Sequence, residues 1–321
     1  MSTKVRVLLF LLCFSAICLV LTGYVSQNYH LQVTSPCSCE KCLTEHDPWF
    51  MQRFNKSVEP FLSAKYHLSE DTFNWWKRLQ FEKGSFSSYK TTVDKLFQIF
   101  PPDPDLLGPS PDRCRSCAVV GNSGNLKGSR YGRLIDVHDV IIRINLGHVK
   151  GYEADVGTRT THRVMYPESA MDLDNTTHLV LVPFKILDLD WLTKAFTTGF
   201  YGTSYAPVRS KVKANKDLVM VVNPAFMRYT HDMWLQKKGR YPSTGFMTLV
   251  LALHICDEVH VFGYGADKDG NWSHYWEKLR DKNFKTGQHP GSHEYGIMQE
   301  LAKHQKLKFY TGWRSVSPLV N

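Results

Sequence analysis

An α/β fold with a largely parallel sheet flanked by helices is what this sequence predicts, and three observations carry the prediction. Short apolar runs recur at Cys117-Ala-Val-Val-Gly121, Val140-Ile-Ile-Arg-Ile144, Leu179-Val-Leu-Val-Pro183, Leu218-Val-Met-Val-Val222 and Val259-His-Val-Phe-Gly263. They are continuous, rich in β-branched residues and closed by Gly, Asn or Pro, as strands covered on both faces are. Helix-like stretches separate them, the clearest being Phe246 to Cys256, an apolar helix whose start is signalled by Pro242-Ser-Thr-Gly245. Alternation of strand and helix is the mark of a layered α/β unit.

Ahead of that unit the chain opens on an apolar segment. Val7 to Val25 is a run of 19 residues without a charge, close to the roughly 20 that cross a bilayer core. Lys4 and Arg6 precede it with no acidic residue to offset them, so the short tail stays cytosolic and the remainder crosses. The alternative is a cleaved signal peptide, but its apolar region would be about 7–15 residues long, and Thr22-Gly23-Tyr24 is a poor cleavage site. The expected organisation is a tail at 1–6, an anchor at 7–25, a stem with a cysteine cluster at 26–46 and a lumenal catalytic domain at 47–321.

Of eight cysteines, Cys13 and Cys18 lie in the anchor, leaving Cys37, Cys39, Cys42, Cys114, Cys117 and Cys256. Their spacing superficially suits zinc, yet no His pair completes a finger and an oxidising lumen favours disulfides. Asn55-Lys-Ser, Asn175-Thr-Thr and Asn271-Trp-Ser are glycosylation sequons that count only in a lumenal domain. Between Asp47 and Lys83, aromatic residues at three and four spacing suggest amphipathic helices packed on a larger body, and Pro101 to Pro111 breaks regular structure.

With 321 residues, 43% of them hydrophobic, the chain can bury a substantial core in one catalytic domain. Its net charge of +9 is scattered, with no run beyond Lys237-Lys238. That pattern points away from nucleic acid and toward a small anionic substrate or a nearby membrane.

Two turns offer places for chemistry. Val119-Val-Gly-Asn-Ser-Gly124 joins a strand to a helix through small residues, and Tyr241-Pro-Ser-Thr-Gly245 does the same before the apolar helix. Backbone N–H groups at such junctions can hold a phosphate, although each also serves as an ordinary turn or cap. Only Gly121 and Gly124 precede Gly128, so a dinucleotide fingerprint is absent. His274-Tyr-Trp-Glu277 and His289 to Glu294 come after the last strand, where a loop histidine could act as a general base. Asp-x-Asp pairs, which could hold a divalent metal, occur at Asp103/Asp105, Asp172/Asp174, Asp188/Asp190 and Asp267/Asp269; only the last, after a strand, is a serious candidate.

Cys117 to Ser169 and Tyr241 to Gly265 closely resemble the long and short sialylmotifs of animal sialyltransferases. His274-Tyr-Trp-Glu277 is similar to the family's third motif, and His289-x-x-x-x-Glu294 to its very short motif. Cys37-Ser-Cys-Glu-Lys-Cys42, Trp75-Trp76, Tyr166-Pro-Glu-Ser169 and Gly239 to Gly245 look most like the beta-galactoside alpha-2,3 branch. The resemblance implies a type-A-like variant glycosyltransferase fold in the Golgi membrane, CMP-sialic acid as donor, no metal or other cofactor, and inversion at the sugar's anomeric carbon. The acceptor would be galactose in Galβ1-3GalNAc on a glycoprotein or glycolipid; a homodimer is compatible with the family.

Carried over position by position, Asn122, Ser123, Asn145, Ser243, Thr244, Gly245, Gly265 and Trp272 would line the CMP pocket. Tyr205, Tyr241 and His274 would hydrogen-bond the departing phosphate, Gln80 and Tyr166 would face the acceptor, and His289 would be the base. Family disulfides would pair Cys37 with Cys42, Cys39 with Cys114 and Cys117 with Cys256. Some features depart from the pattern: Leu146-Gly-His148 after Asn145, a short segment between Glu277 and His289, the sequon at Asn271 and a long tail after Phe309. Two other readings stand beside this one, a non-catalytic sialyl-nucleotide or glycan-binding homologue and a metal-dependent transferase using a nucleotide diphosphate sugar.

Overall fold

The computed structural model describes residues 13–23, 37–40, 42–43, 47–104, 112–267, 270–277 and 287–312. The expected anchor falls only partly among them: residues 13–23 are helical, and no helix of the described residues is long and apolar enough to cross a membrane.

Seven strands form one sheet: β1 (Ser116–Val120), β2 (Val140–Ile144), β3 (His162–Met165), β4 (His178–Leu181), β5 (Val219–Val221), β6 (Glu258–Phe262) and β7 (Lys308–Tyr310). Their order is β5-β4-β3-β2-β1-β6-β7, and every pairing is parallel. All carboxyl ends therefore share one edge. The chain builds outward from β1 to β5 on one side and returns to place β6 on the other. That reversal opens a crevice beyond the ends of β1 and β6, where ligands settle in open parallel sheets.

The five expected strands are present within a residue or two of their expected limits. Two more were hidden by composition. The strand β3 carries His162 and Arg163 among its four residues, and Arg163 is buried because its guanidinium donates to the carbonyls of Asn145 and Gly147 at 3.0 and 2.9 Å. The edge strand β7 is three residues long and partly exposed, so it leaves little apolar signal.

Among the helices, α1 (Pro48–Met51) and α2 (Glu70–Trp76) are all that the aromatic spacing before Lys83 yields. The sheet edge competes for the chain between them: Leu62 N–H donates to Val221 O at 2.8 Å, and Phe61 bridges Val222. Phe54, Phe61 and Leu62 are buried all the same, so the expectation of packing holds while that of continuous helix does not. Further along lie α3 (Phe86–Leu96), α4 (Gly132–Asp136), α5 (Glu153–Val156), α6 (Ile186–Ala195) and α7 (Pro224–Tyr229).

The apolar helix is α8 (Thr244–Ile255), buried along nearly its whole length against β1, β2, β3 and β6, as a helix apolar on every face must be. The Ser243 Oγ caps it by accepting from Phe246 N–H at 3.0 Å. The last helix is α9 (Gly291–Lys303). Disulfides join Cys37–Cys42, Cys39–Cys114 and Cys117–Cys256, the pairing the family resemblance implies. The third bond ties the long motif at β1 to the end of α8. Cys39, Cys114 and Glu258 cluster closely enough for a metal, but the disulfide removes the thiolates such a site needs.

Candidate active site

The crevice at the carboxyl edge is a cavity of about 420 Å³, and every residue expected in the donor pocket, at the phosphate, at the acceptor or as the base lines it. Those residues run from Gln80 to His289, so the fold is what assembles them.

The floor is the turn after β1. Gly121 N–H donates to Phe262 O and Ser123 N–H to Gly263 O, at 2.8 and 2.9 Å. A Cβ on Gly121 would lie 2.3 Å from Gly263 O, so this backbone-on-backbone approach admits only glycine. The turn leads into a single 3-10 turn, Gly124–Leu126, capped by the Ser123 hydroxyl, in place of the full helix expected there. Asn122 Nδ2 donates to Ile144 O at 3.2 Å, linking the ends of β1 and β2. Asn145 takes a left-handed φ of 51°, which asparagine tolerates better than most residues, and its Oδ1 accepts from Ser169 Oγ at 2.9 Å.

The third motif is laid onto that floor. Gly124 N–H donates to Ser273 O at 2.7 Å and Tyr275 N–H to Asn122 O at 3.1 Å, bringing Trp272 and His274 to the rim. His274 Nδ1 meets Glu277 Oε1, and its ring stacks on Trp276 at 4.6 Å.

The far wall is the amino end of α8, gripped by the start of α9. Glu294 is buried and takes Ser243 N–H on Oε1 at 2.7 Å and Ser243 Oγ–H on Oε2 at 2.6 Å. Burial pushes its carboxyl above the ordinary value, and the two bonds from Ser243 pull back. His289 Nδ1 lies 3.3 Å from Tyr241 O, and the two rings meet edge to face at 4.8 Å. A carbonyl can only accept, so the neutral ring carries its proton on Nδ1 and leaves Nε2 as the basic nitrogen. Burial lowers the pKa of His289 below 6.5, partly opposed by the Tyr241 carbonyl.

The very short motif contains Glu294 but gives it no task; the residue sits five positions after His289 at the head of α9 and reaches back to the Ser243 turn, a contact that no local pattern records. The aromatic backing was missed as well. Tyr264 OH donates to Gly245 O at 2.9 Å, and the Tyr295 ring fills the space a Cβ on Gly265 would need. The Asp-x-Asp pairs find other work: Asp172 and Asp190 pair with Arg209 and Lys194, and Asp188 pairs with Lys185. Asp174 accepts from Thr176 and Thr177, and Asp103 pairs with Lys65. Asp267 accepts from Asn271 N–H at 2.8 Å, while Asp105 and Asp269 lie outside the described residues.

Residues 61–306 match the family described as glycosyltransferase family 29 (sialyltransferase). The chain belongs to that family. Among curated members of the sialyltransferase family it is 46% identical over 286 residues to CMP-N-acetylneuraminate-beta-galactosamide-alpha-2,3-sialyltransferase 1 of Gallus gallus, covering 86% of this chain and 82% of that protein. To the type 2 enzyme of Rattus norvegicus it is 45% identical over 283 residues, covering 86% and 80%. It also superposes on the crystal structure of a mammalian sialyltransferase in complex with Gal-beta-1-3GalNAc-ortho-nitrophenol, with a TM-score of 0.80 and 44% identity over 87% of this chain and 100% of that one.

Of the sialyltransferase chain's sequons, Asn55 and Asn175 are exposed. Asn271 is half-buried, and its side-chain amide donates to Asp267 Oδ2 at 3.3 Å.

Proposed function

We infer that this protein transfers sialic acid from CMP-sialic acid to the 3-hydroxyl of galactose in Galβ1-3GalNAc-terminated glycans. The observation that carries the reading is the convergence of all four motifs on one cleft at the topological reversal of the sheet, in a chain of family 29. The names of its relatives supply the donor and linkage.

In this reading the turn after β1 and the end of β2 take the cytidine and ribose through Asn122, Ser123 and Asn145. The phosphate lies at the amino end of α8, where Thr244 and Gly245 bring N–H groups and the helix dipole to a negative charge, while Ser243, its N–H and hydroxyl engaged by Glu294, lines the pocket as the cap of that helix. Tyr205, Tyr241 and His274 donate to its oxygens as they gain charge, so that hydrogen bonds alone support a monophosphate leaving group. No metal is required. Gln80 and Tyr166 orient the galactose so that its 3-hydroxyl attacks the anomeric carbon opposite CMP, and His289 Nε2 takes the hydroxyl proton.

In this reading the apolar segment at 7–25 anchors a single-pass type II protein, the family resemblance implies the Golgi membrane, and Asn55 and Asn175 carry glycans. Engagement of Asn271 with Asp267 favours an unmodified Asn271. The purified protein is expected to sialylate Galβ1-3GalNAc as fast in EDTA as in magnesium. Loss of transfer in EDTA would favour the metal-dependent reading; CMP binding without transfer to any galactoside would favour a binding homologue.

A further inference from the structure

Beside the acceptor side of the cleft lies a buried charged cluster to which the motifs assign nothing. Lys185, just ahead of α6, places Nζ 2.9 Å from Asp188 Oδ1, 3.6 Å from Glu168 Oε1 and 3.3 Å from Gln80 Oε1. Its ammonium also sits 5.2 Å from the centre of the Tyr205 ring. Both carboxylates are almost wholly buried, and Lys185 is only 14% exposed. Glu168 accepts in turn from Ser204 Oγ, next to Tyr205. One cation thus joins the loop after α2, the turn after β3, the entry to α6 and the loop carrying Tyr205.

The chemistry of the pair fixes an orientation. An ammonium has three donors and no acceptor, so the atom of Gln80 that faces it must be the carbonyl oxygen. The amide NH₂ is then the end left to Gln80 for the cleft, which that residue lines. Without the lysine, the amide could turn over and present an acceptor to the sugar. We propose that Lys185 is a positioning residue that sets Gln80 as a hydrogen-bond donor to an oxygen of the acceptor disaccharide and so contributes to acceptor selection. This rests on the reading of the cleft as a sialyltransferase site with Gln80 on its acceptor side.

The test is a cycle of Lys185→Met, Gln80→Ala and the double variant, with KM measured separately for Galβ1-3GalNAc and CMP-sialic acid. Lys185→Met is expected to raise the acceptor KM about tenfold, the size of one charge-supported hydrogen bond. The donor KM, which Lys185 reaches only through the Tyr205 ring, should move less than the acceptor KM, and the double variant should match Gln80→Ala in acceptor KM, because residues acting through one contact do not add. Lys185→Arg, which keeps cation and donors, is expected to restore the acceptor KM; should Lys185→Met not fold, a Lys185→Arg variant with a tenfold weaker acceptor KM would overturn the proposal. Additive losses, equal effects on both KM values or an unchanged acceptor KM would also overturn it. If the wild-type protein transfers to no galactoside, it is the functional reading that has failed.

Discussion

Replacing His289 with alanine is expected to lower kcat by about 10²- to 10⁴-fold, the range a positioned general base contributes, while leaving the KM for CMP-sialic acid close to that of the wild type. The ring lines the cleft and is held through Nδ1 on the Tyr241 carbonyl, so its loss removes a proton acceptor without dismantling the donor pocket. The pH profile carries the same argument with a definite sign. A base works in its neutral form, and burial holds the pKa of His289 below 6.5. The acid limb of kcat/KM should therefore have its midpoint below 6.5 and leave the enzyme active in mildly acidic conditions. A limb centred above 6.5, or one that persists unchanged in the alanine variant, would assign proton removal to another group.

Glu294→Ala is expected to cost about 2–4 kcal/mol of stability, since it strips the acceptor from both Ser243 N–H and Ser243 Oγ–H in a buried place and leaves a void. The effect should not stop at stability. Ser243 is the N-cap of α8, whose first residues line the cleft, so a loosened cap should also raise the KM for CMP-sialic acid. Thermal unfolding and donor titration check the two parts. Glu294→Gln keeps the volume and one acceptor, and should fall between alanine and the wild type on both measures. Wild-type donor affinity in a destabilised Glu294→Ala protein would make Glu294 a core group with no bearing on the donor.

How much of this could be seen in the sequence depended on whether a residue's task is local. The strands β1, β2, β4, β5 and β6 and the helix α8 were legible because strands and helices covered on all sides show as unbroken apolar runs. The strand β3 was not, because its buried arginine is matched by carbonyls from another loop, which no local pattern records. The helices before Lys83 were overestimated because periodic aromatics also suit an irregular segment pinned to a sheet edge, as Phe61 and Leu62 are.

Within the site, the motif residues were legible and their supports were not. Glu294 acts on Ser243 across 51 positions and Lys185 on Gln80 across 105; neither pairing leaves a mark in spacing. The closeness of Gly121 to Gly263 is likewise a product of β1 lying beside β6, a consequence of topology alone.

The most direct test of the central claim is the configuration of the product. Nuclear magnetic resonance of the trisaccharide formed from CMP-sialic acid and Galβ1-3GalNAc should show sialic acid on the galactose 3-hydroxyl with its anomeric configuration inverted relative to the donor, as a single displacement assisted by His289 requires. A product of retained configuration, or sialic acid on another hydroxyl, would contradict the account.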